Sequence, residues 1–341
     1  MALCLINESV LVIRYAYFKL PVLEAICPSY IFISNNVFYK DMIEQDLSKL
    51  ITEQRNENSL NIDTKSVEEI INIFNIEDQK AVSAVIKENE SIAKTINLIV
   101  EAFNKNGRLF YVGAGTSGRL GVLDSSECPP TFGVPREMVQ GIIAGGYEAL
   151  VRSIERAEDK PEDGAQAIRD RGVNKCDVVV GIASSGRTPY VIGALEEAHN
   201  IGAKTALLQC NPLQIKHEFI DIFILPIVGP EIITGSTRLK AGTATKIILN
   251  MLSSISMIKI GKVYNNLMVD VQAWNDKLVD RAKRLIMEIG EVDSIRAEEL
   301  LNQAKGSAKI AIVMAKRNVG YDEAIKFLKE NGDLLRKVIA S

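Results

Sequence analysis

Histidine is almost missing from this chain: 341 residues hold two, His199 and His217. Acid–base chemistry, if the protein performs any, therefore falls to carboxylates, lysine or tyrosine. His199 is expected late in a helix and His217 in a polar connection, both in solvent. The five cysteines (Cys4, Cys27, Cys128, Cys176 and Cys210) are scattered, odd in number and without a C-x-x-C pair. That spacing excludes a disulfide framework and a cysteine-based zinc site, and it suits reduced thiols in the cytoplasm. No uncharged apolar run is long enough for a membrane-spanning helix, so no membrane partner is expected. A net charge of −3 gives neither sign the upper hand, which argues against a nucleic-acid or membrane-surface partner. Repeats and low-complexity tracts are absent as well.

What is present is two small-residue loops, Gly113-Ala114-Gly115-Thr116-Ser117-Gly118-Arg119 and Ser184-Ser185-Gly186-Arg187-Thr188-Pro189. Each follows an apolar run that reads as a buried strand (109–112 and 178–183), and each precedes a helical pattern. A strand–turn–helix without bulky side chains in its turn exposes backbone N–H groups at a helix N-terminus, where the helix dipole favours an anion. Glycines that merely form tight turns would explain one such loop. Two loops with matching hydroxyls point to one phosphorylated ligand held across a crevice. The first loop fits G-x-G-x-x-G, but the next run (139–144) ends in Gly145-Gly146 with no carboxylate for a ribose, so a dinucleotide is not expected. No Gly-Lys-Ser/Thr follows either, which removes a Walker A loop. A sugar phosphate fits better than a nucleotide.

Five apolar runs (109–112, 139–144, 178–183, 205–209 and 222–228) alternate with helical segments. That order predicts a five-stranded parallel sheet flanked by helices, an α/β fold of flavodoxin-like type. Ser66 with Glu69 forms a capping-box signal, residues 81–103 read as one long helix, and residues 247–260 read as a nearly all-apolar helix suited to a subunit contact. The last fifty residues read as three or four short helices with caps near Asp293 and Gly332. The expected organisation is an upstream extension over 1–41, N-terminal helices over 42–92, a phosphosugar-binding domain over 93–260 and a C-terminal helical region over 261–341. The extension is set apart by composition, with seven of the 20 aromatic residues and no clear periodicity, and Met42 is its expected end. A third hydroxyl-rich stretch, 234–246, carries Arg238 and Lys240. Two cations among small hydroxyl residues suit a phosphate or carboxylate ligand, although interface charges fit as well.

The two loops resemble the SIS (sugar isomerase) phosphosugar-binding fold. Longer strings are more specific. Residues 113–119 running into Leu123-Asp124-Ser125-Ser126-Glu127-Cys128-Pro129-Pro130-Thr131-Phe132-Gly133, then Ala157-Glu158-Asp159, residues 185–190, and 234–246 with Asn250-Met251-Leu252-Ser253, resemble the N-acetylmuramic acid 6-phosphate etherase family. The likeness runs from about Met42 to the C-terminus, with Ser184 standing where the family pattern has Ala. The resemblance implies cleavage of the lactyl ether of a phosphorylated amino sugar by elimination and hydration, in cell-wall recycling, with no metal and no cofactor. It places the catalytic carboxylates at Glu127 and Glu158, and substrate contacts at Gly115, Thr116, Ser117, Ser184, Ser185, Gly186, Thr188, Arg238 and Lys240. From the residues alone, Glu127 could equally cap the helix end before Pro129, and Glu158 is one of five acids between Glu155 and Asp163. A homodimer is expected. Two other readings share the fold: a regulator of glucokinase that binds sugar phosphate without turnover, and an aldose–ketose isomerase. Release of D-lactate separates them.

Overall fold

A computed structural model describes residues 50–213, 215–270 and 276–340. The extension over 1–41, its boundary at Met42, and Trp274 lie outside them. Five strands form one sheet: β1 (Leu109–Gly113), β2 (Val139–Ile143), β3 (Val178–Ile182), β4 (Lys204–Leu208) and β5 (Ile222–Ile224). Their order is β2-β1-β3-β4-β5 and every pairing is parallel. β1 and β3 are buried along their whole length, as continuous apolar runs with helices on both faces must be. Leu109 pairs with both Val139 and Val178, and Gly113 with both Ile143 and Ile182. Strands β2, β1 and β3 therefore end level, and the loops after β1 and β3 emerge side by side. The chain crosses from β1 outward to β2 and then back to β3 on the other side of β1, so these two loops flank the switch point at which such sheets open a crevice.

Seven helices accompany the sheet among the described residues: α1 (Val67–Ile86), α2 (Asn89–Asn104), α3 (Gly115–Phe132), α4 (Glu148–Val151), α5 (Pro161–Asp170), α6 (Pro189–Ile201) and α7 (Lys240–Lys259). The capping box at the start of α1 is complete: Ser66 Oγ accepts from the Glu69 N–H and the Glu69 carboxylate accepts from the Ser66 N–H. The expected single helix over 81–103 is two helices. The polar stretch Lys87-Glu88-Asn89-Glu90 offers no apolar residue to the core, and the turn there lets the Glu88 carboxylate accept from the Leu225 N–H at 3.0 Å. That bond, followed by Pro226, also stops β5 at Ile224 instead of residue 228. The sheet, α2 and α7 share one core that includes Tyr111, Ile182, Ile248 and Leu252.

One side of α7 is buried within this chain: Ile248, Leu249, Leu252 and Met257 have no exposed surface, while Ile247, Met251 and Ile255 are half-buried and Ile258 is exposed. A second core, including Ile286, Leu300, Ile312 and Leu328, joins α8 (Asp276–Gly290), α9 (Ser294–Gln303), α10 (Ala308–Arg317), α11 (Tyr321–Glu330) and α12 (Leu335–Ala340). Asp293 caps α9 through its side chain, and Gly332 follows α11 with a left-handed φ. His199 is exposed near the end of α6, but His217 is not in solvent. It is buried against Phe219, with ring centroids 4.8 Å apart, and burial lowers its pKa. Among the described residues no helix is long and apolar enough to cross a membrane.

Candidate active site

Both small-residue loops open at the C-terminal edge of the sheet. Ala114 is the N-cap of α3 and no side chain caps that helix, which leaves its first-turn N–H groups to a ligand. Gly115 sits at φ +52° with open space where a Cβ would be. Thr116 and Ser117 are half-buried on the same first turn. In the second loop Gly186 sits at φ +73°, and a Cβ there would collide with the Gln209 amide, so glycine is favoured. The Arg187 N–H donates to Ser185 Oγ at 3.2 Å, and Ser184, Ser185 and Thr188 are half-buried beside it. Pro189 begins α6, where the side chain of the N-cap Thr188 makes no capping bond.

A third element closes on these loops. A Cβ built on Gly242, in the first turn of α7, would lie 3.7 Å from Thr116 Cγ2. Two first-turn N–H groups of α7 are already satisfied, because the fully buried Glu231 accepts from the N–H groups of Lys240 (3.0 Å) and Ala241 (2.9 Å). Arg238 is exposed in the loop before α7. Lys240, expected at an anion, is buried and ion-paired with Glu77 at 2.6 Å. Its ammonium is committed inside the chain, because a buried cation needs a fixed partner.

The structure brings Glu158 to the first loop. Its segment lines a cavity of about 100 Å³ with Ala114, Gly115, Arg119, Arg152 and Ser153. The Glu158 backbone carbonyl accepts from the Tyr190 N–H at 3.0 Å, which ties this stretch of backbone to the start of α6 and hence to the second loop. Arg119 pins the strap above it, donating to the carbonyls of Leu150 and Arg152, each at 3.1 Å. Burial, and then the charge of neighbouring Asp159, raise the Glu158 carboxyl above its usual range. A carboxylate whose pKa is raised toward neutrality is a stronger base.

Glu127 is not gathered with this group. It lies within α3, twelve residues beyond Gly115, which is roughly 18 Å along the helix axis. It lines a separate cavity of about 270 Å³ with Asp124, Lys246 and Asn250. A concavity of about 1070 Å³ lies elsewhere again, around Pro130, Arg136 and Arg171. Four residues that support the crevice have no sequence signal. Asn211 donates to Thr52 Oγ1 (3.0 Å) and to the Ser184 carbonyl (2.9 Å), Gln209 backs Gly186, and the Thr52 carbonyl accepts from the Gly235 N–H at 3.1 Å. Glu231, the cap of α7, is the fourth.

A family model for the N-terminal SIS domain of glucokinase regulatory protein matches residues 91–199. A protein from Rhizobium rhizogenes named N-acetylmuramic acid 6-phosphate etherase is 54% identical over 296 residues, covering 87% of this chain and 96% of that protein. This chain belongs to the N-acetylmuramic acid 6-phosphate etherase family. Relatives of the same name from Salinibacter ruber (51% identical, 86% of this chain and 95% of that protein) and Klebsiella aerogenes (48%, 87% and 99%) extend the match. Among solved structures, a phosphoheptose isomerase from Neisseria gonorrhoeae aligns over 56% of this chain and 99% of its own, with 16% identity and a TM-score of 0.43. The family members span nearly the whole described chain, so both loops, Glu127 and Glu158 lie inside the shared region.

Proposed function

We propose that this chain cleaves the D-lactyl ether of N-acetylmuramic acid 6-phosphate, giving N-acetylglucosamine 6-phosphate and D-lactate. The observation that carries this reading is the placement of Glu158 beside the uncapped N-terminus of α3, at the switch point of the sheet. Phosphate binds the N–H groups of that turn with the hydroxyls of Ser117, Ser185 and Thr188. In the open-chain sugar the aldehyde makes the C2 proton acidic. Glu158 takes that proton, the C3–O bond breaks, and Glu127 gives a proton to the departing lactate oxygen. Water then adds at C3 of the unsaturated aldehyde, giving its proton to Glu127, and Glu158 returns its proton to C2, so both carboxyl groups are restored and the reaction balances.

One hexose phosphate does not bridge the distance from Gly115 to Glu127 within a chain. The reading therefore includes a homodimer in which one copy supplies the phosphate loops and Glu158 while its partner supplies Glu127. Val67, Ile71, Val82 and Ile86 are exposed, and their spacing places them on one face of α1, a surface suited to burial between copies. A cytoplasmic place in cell-wall recycling belongs to the same reading. Incubating the full chain with the phosphorylated muramic sugar and measuring D-lactate tests it. Lactate should be released, and the unphosphorylated sugar should be a very poor substrate. Equal turnover of both sugars removes the phosphate site, and no lactate from either removes the reaction.

A further inference from the structure

The cavity beside Glu127 carries more than a proton donor. It is walled by α3 and α7, and Leu120, Asp124, Glu127, Lys246, Leu249 and Asn250 line it. Asp124 and Glu127 are three residues apart on one helix, and Lys246 and Asn250 four apart on the other, so each pair shares a face and the two faces meet. Asp124 is only 7% exposed. Its Oδ1 accepts from Asn250 Nδ2 at 2.7 Å and from Ser253 Oγ at 3.2 Å, so the carboxylate is held in place from α7. Lys246 is exposed into this space and is the cation of the cavity.

The leaving group of the proposed reaction has a carboxylate on the same carbon that bears the ether oxygen. If Glu127 protonates that oxygen, the carboxylate must sit in the Glu127 cavity, next to two acids. Repulsion would expel it unless a cation faced it. Lys240 is held by Glu77, and Arg238 does not line this space. Resting on the etherase reading, we propose that Lys246 binds the carboxylate of the lactyl group and thereby selects an acid-bearing ether, with Leu120 and Leu249 receiving the lactyl methyl. Burial raises the Asp124 carboxyl above its ordinary range, opposed by the bonds from Asn250, Ser253 and Tyr111 and by the charge of Lys246.

The test compares two ligands on the full chain: N-acetylmuramic acid 6-phosphate and its 3-O-isopropyl counterpart, in which a methyl replaces the carboxylate. Apparent affinity is read as KM for the first and as the competitive inhibition constant of the second, so turnover of the isopropyl ether is not needed. Lys246→Met should weaken the acid-bearing ligand about tenfold to a hundredfold, the range of a charged hydrogen bond, and leave the isopropyl ether within about twofold. Lys246→Arg should restore most of the preference, and thermal midpoints should stay with the wild type because the side chain is exposed. Equal weakening of both ligands, or of neither, overturns the assignment while the etherase reading stands. No lactate from the wild type overturns that reading and this assignment with it.

Discussion

Lys240→Met separates a structural lysine from a ligand-binding one. Lys240 is 1% exposed, and its Nζ lies 2.6 Å from a Glu77 carboxylate that is fully buried. Glu77 also accepts from Asn56 (2.8 Å), Asn58 (2.7 Å) and Lys80. Burial works against its ionisation, but the bonds from Asn58, Lys240, Lys80 and Asn56 outweigh that and hold its pKa at about 2. Removing one partner of a buried pair costs about 3–5 kcal/mol, and the three remaining donors put this case near the lower end. For a domain of this size, about 2–4 °C per kcal/mol makes that a fall of roughly 6–12 °C in Tm. Calorimetry and steady-state kinetics at low temperature should then disagree: a large drop in Tm, with KM for the phosphorylated substrate within about twofold of wild type. The pH dependence has a definite sign. The folded pKa of Glu77 lies below its ordinary value of 4.5, so the carboxylate contributes stability above that value and loses it as pH falls toward about 2. The loss amounts to about 3 kcal/mol, and the variant should lose less because one of the bonds lowering the pKa is gone. An unchanged Tm with a KM raised tenfold or more would refute the reasoning and return Lys240 to the ligand.

Other outcomes follow from the placement of the two carboxylates. Glu127→Ala should block lactate release yet still exchange the C2 proton with deuterated water, whereas Glu158→Ala should lose both by roughly a hundred- to ten-thousandfold; the reverse pattern exchanges the roles. Mixing and refolding these two inactive variants should restore about a quarter of wild-type activity, since half the dimers are mixed and each holds one intact site; a mixture that stays inactive places both carboxylates in one chain's site. Asp159→Asn removes the like charge beside Glu158, so the acid limb of the kcat/KM profile should move to lower pH; an unmoved limb would show that Glu158 is not the base being titrated.

Local chemistry was legible from the residues wherever one segment decides it. The strand–turn–helix loops, the parallel sheet and the Ser66 capping box depend on neighbours in sequence, and the structure has all three. What a linear reading misses is direction around a helix. Reading 234–246 as one cationic loop makes Arg238 and Lys240 equivalent, but α7 begins at Lys240. Lys240 and Lys246 are then six residues apart, about 240° around the axis. One faces Glu77 in the interior and the other faces the cavity beside Glu127. The same geometry explains Glu127. The string from the glycine loop to Pro130 looks like one compact motif, yet as a helix it carries its two ends to different parts of the molecule. A motif that is continuous in sequence but spread along a helix this long acts on a single small ligand when a second copy of the chain brings the far end of one helix to the near end of another. On the proposed dimer reading, assembly completes the site, and residues at the two ends of α3 serve different molecules of substrate.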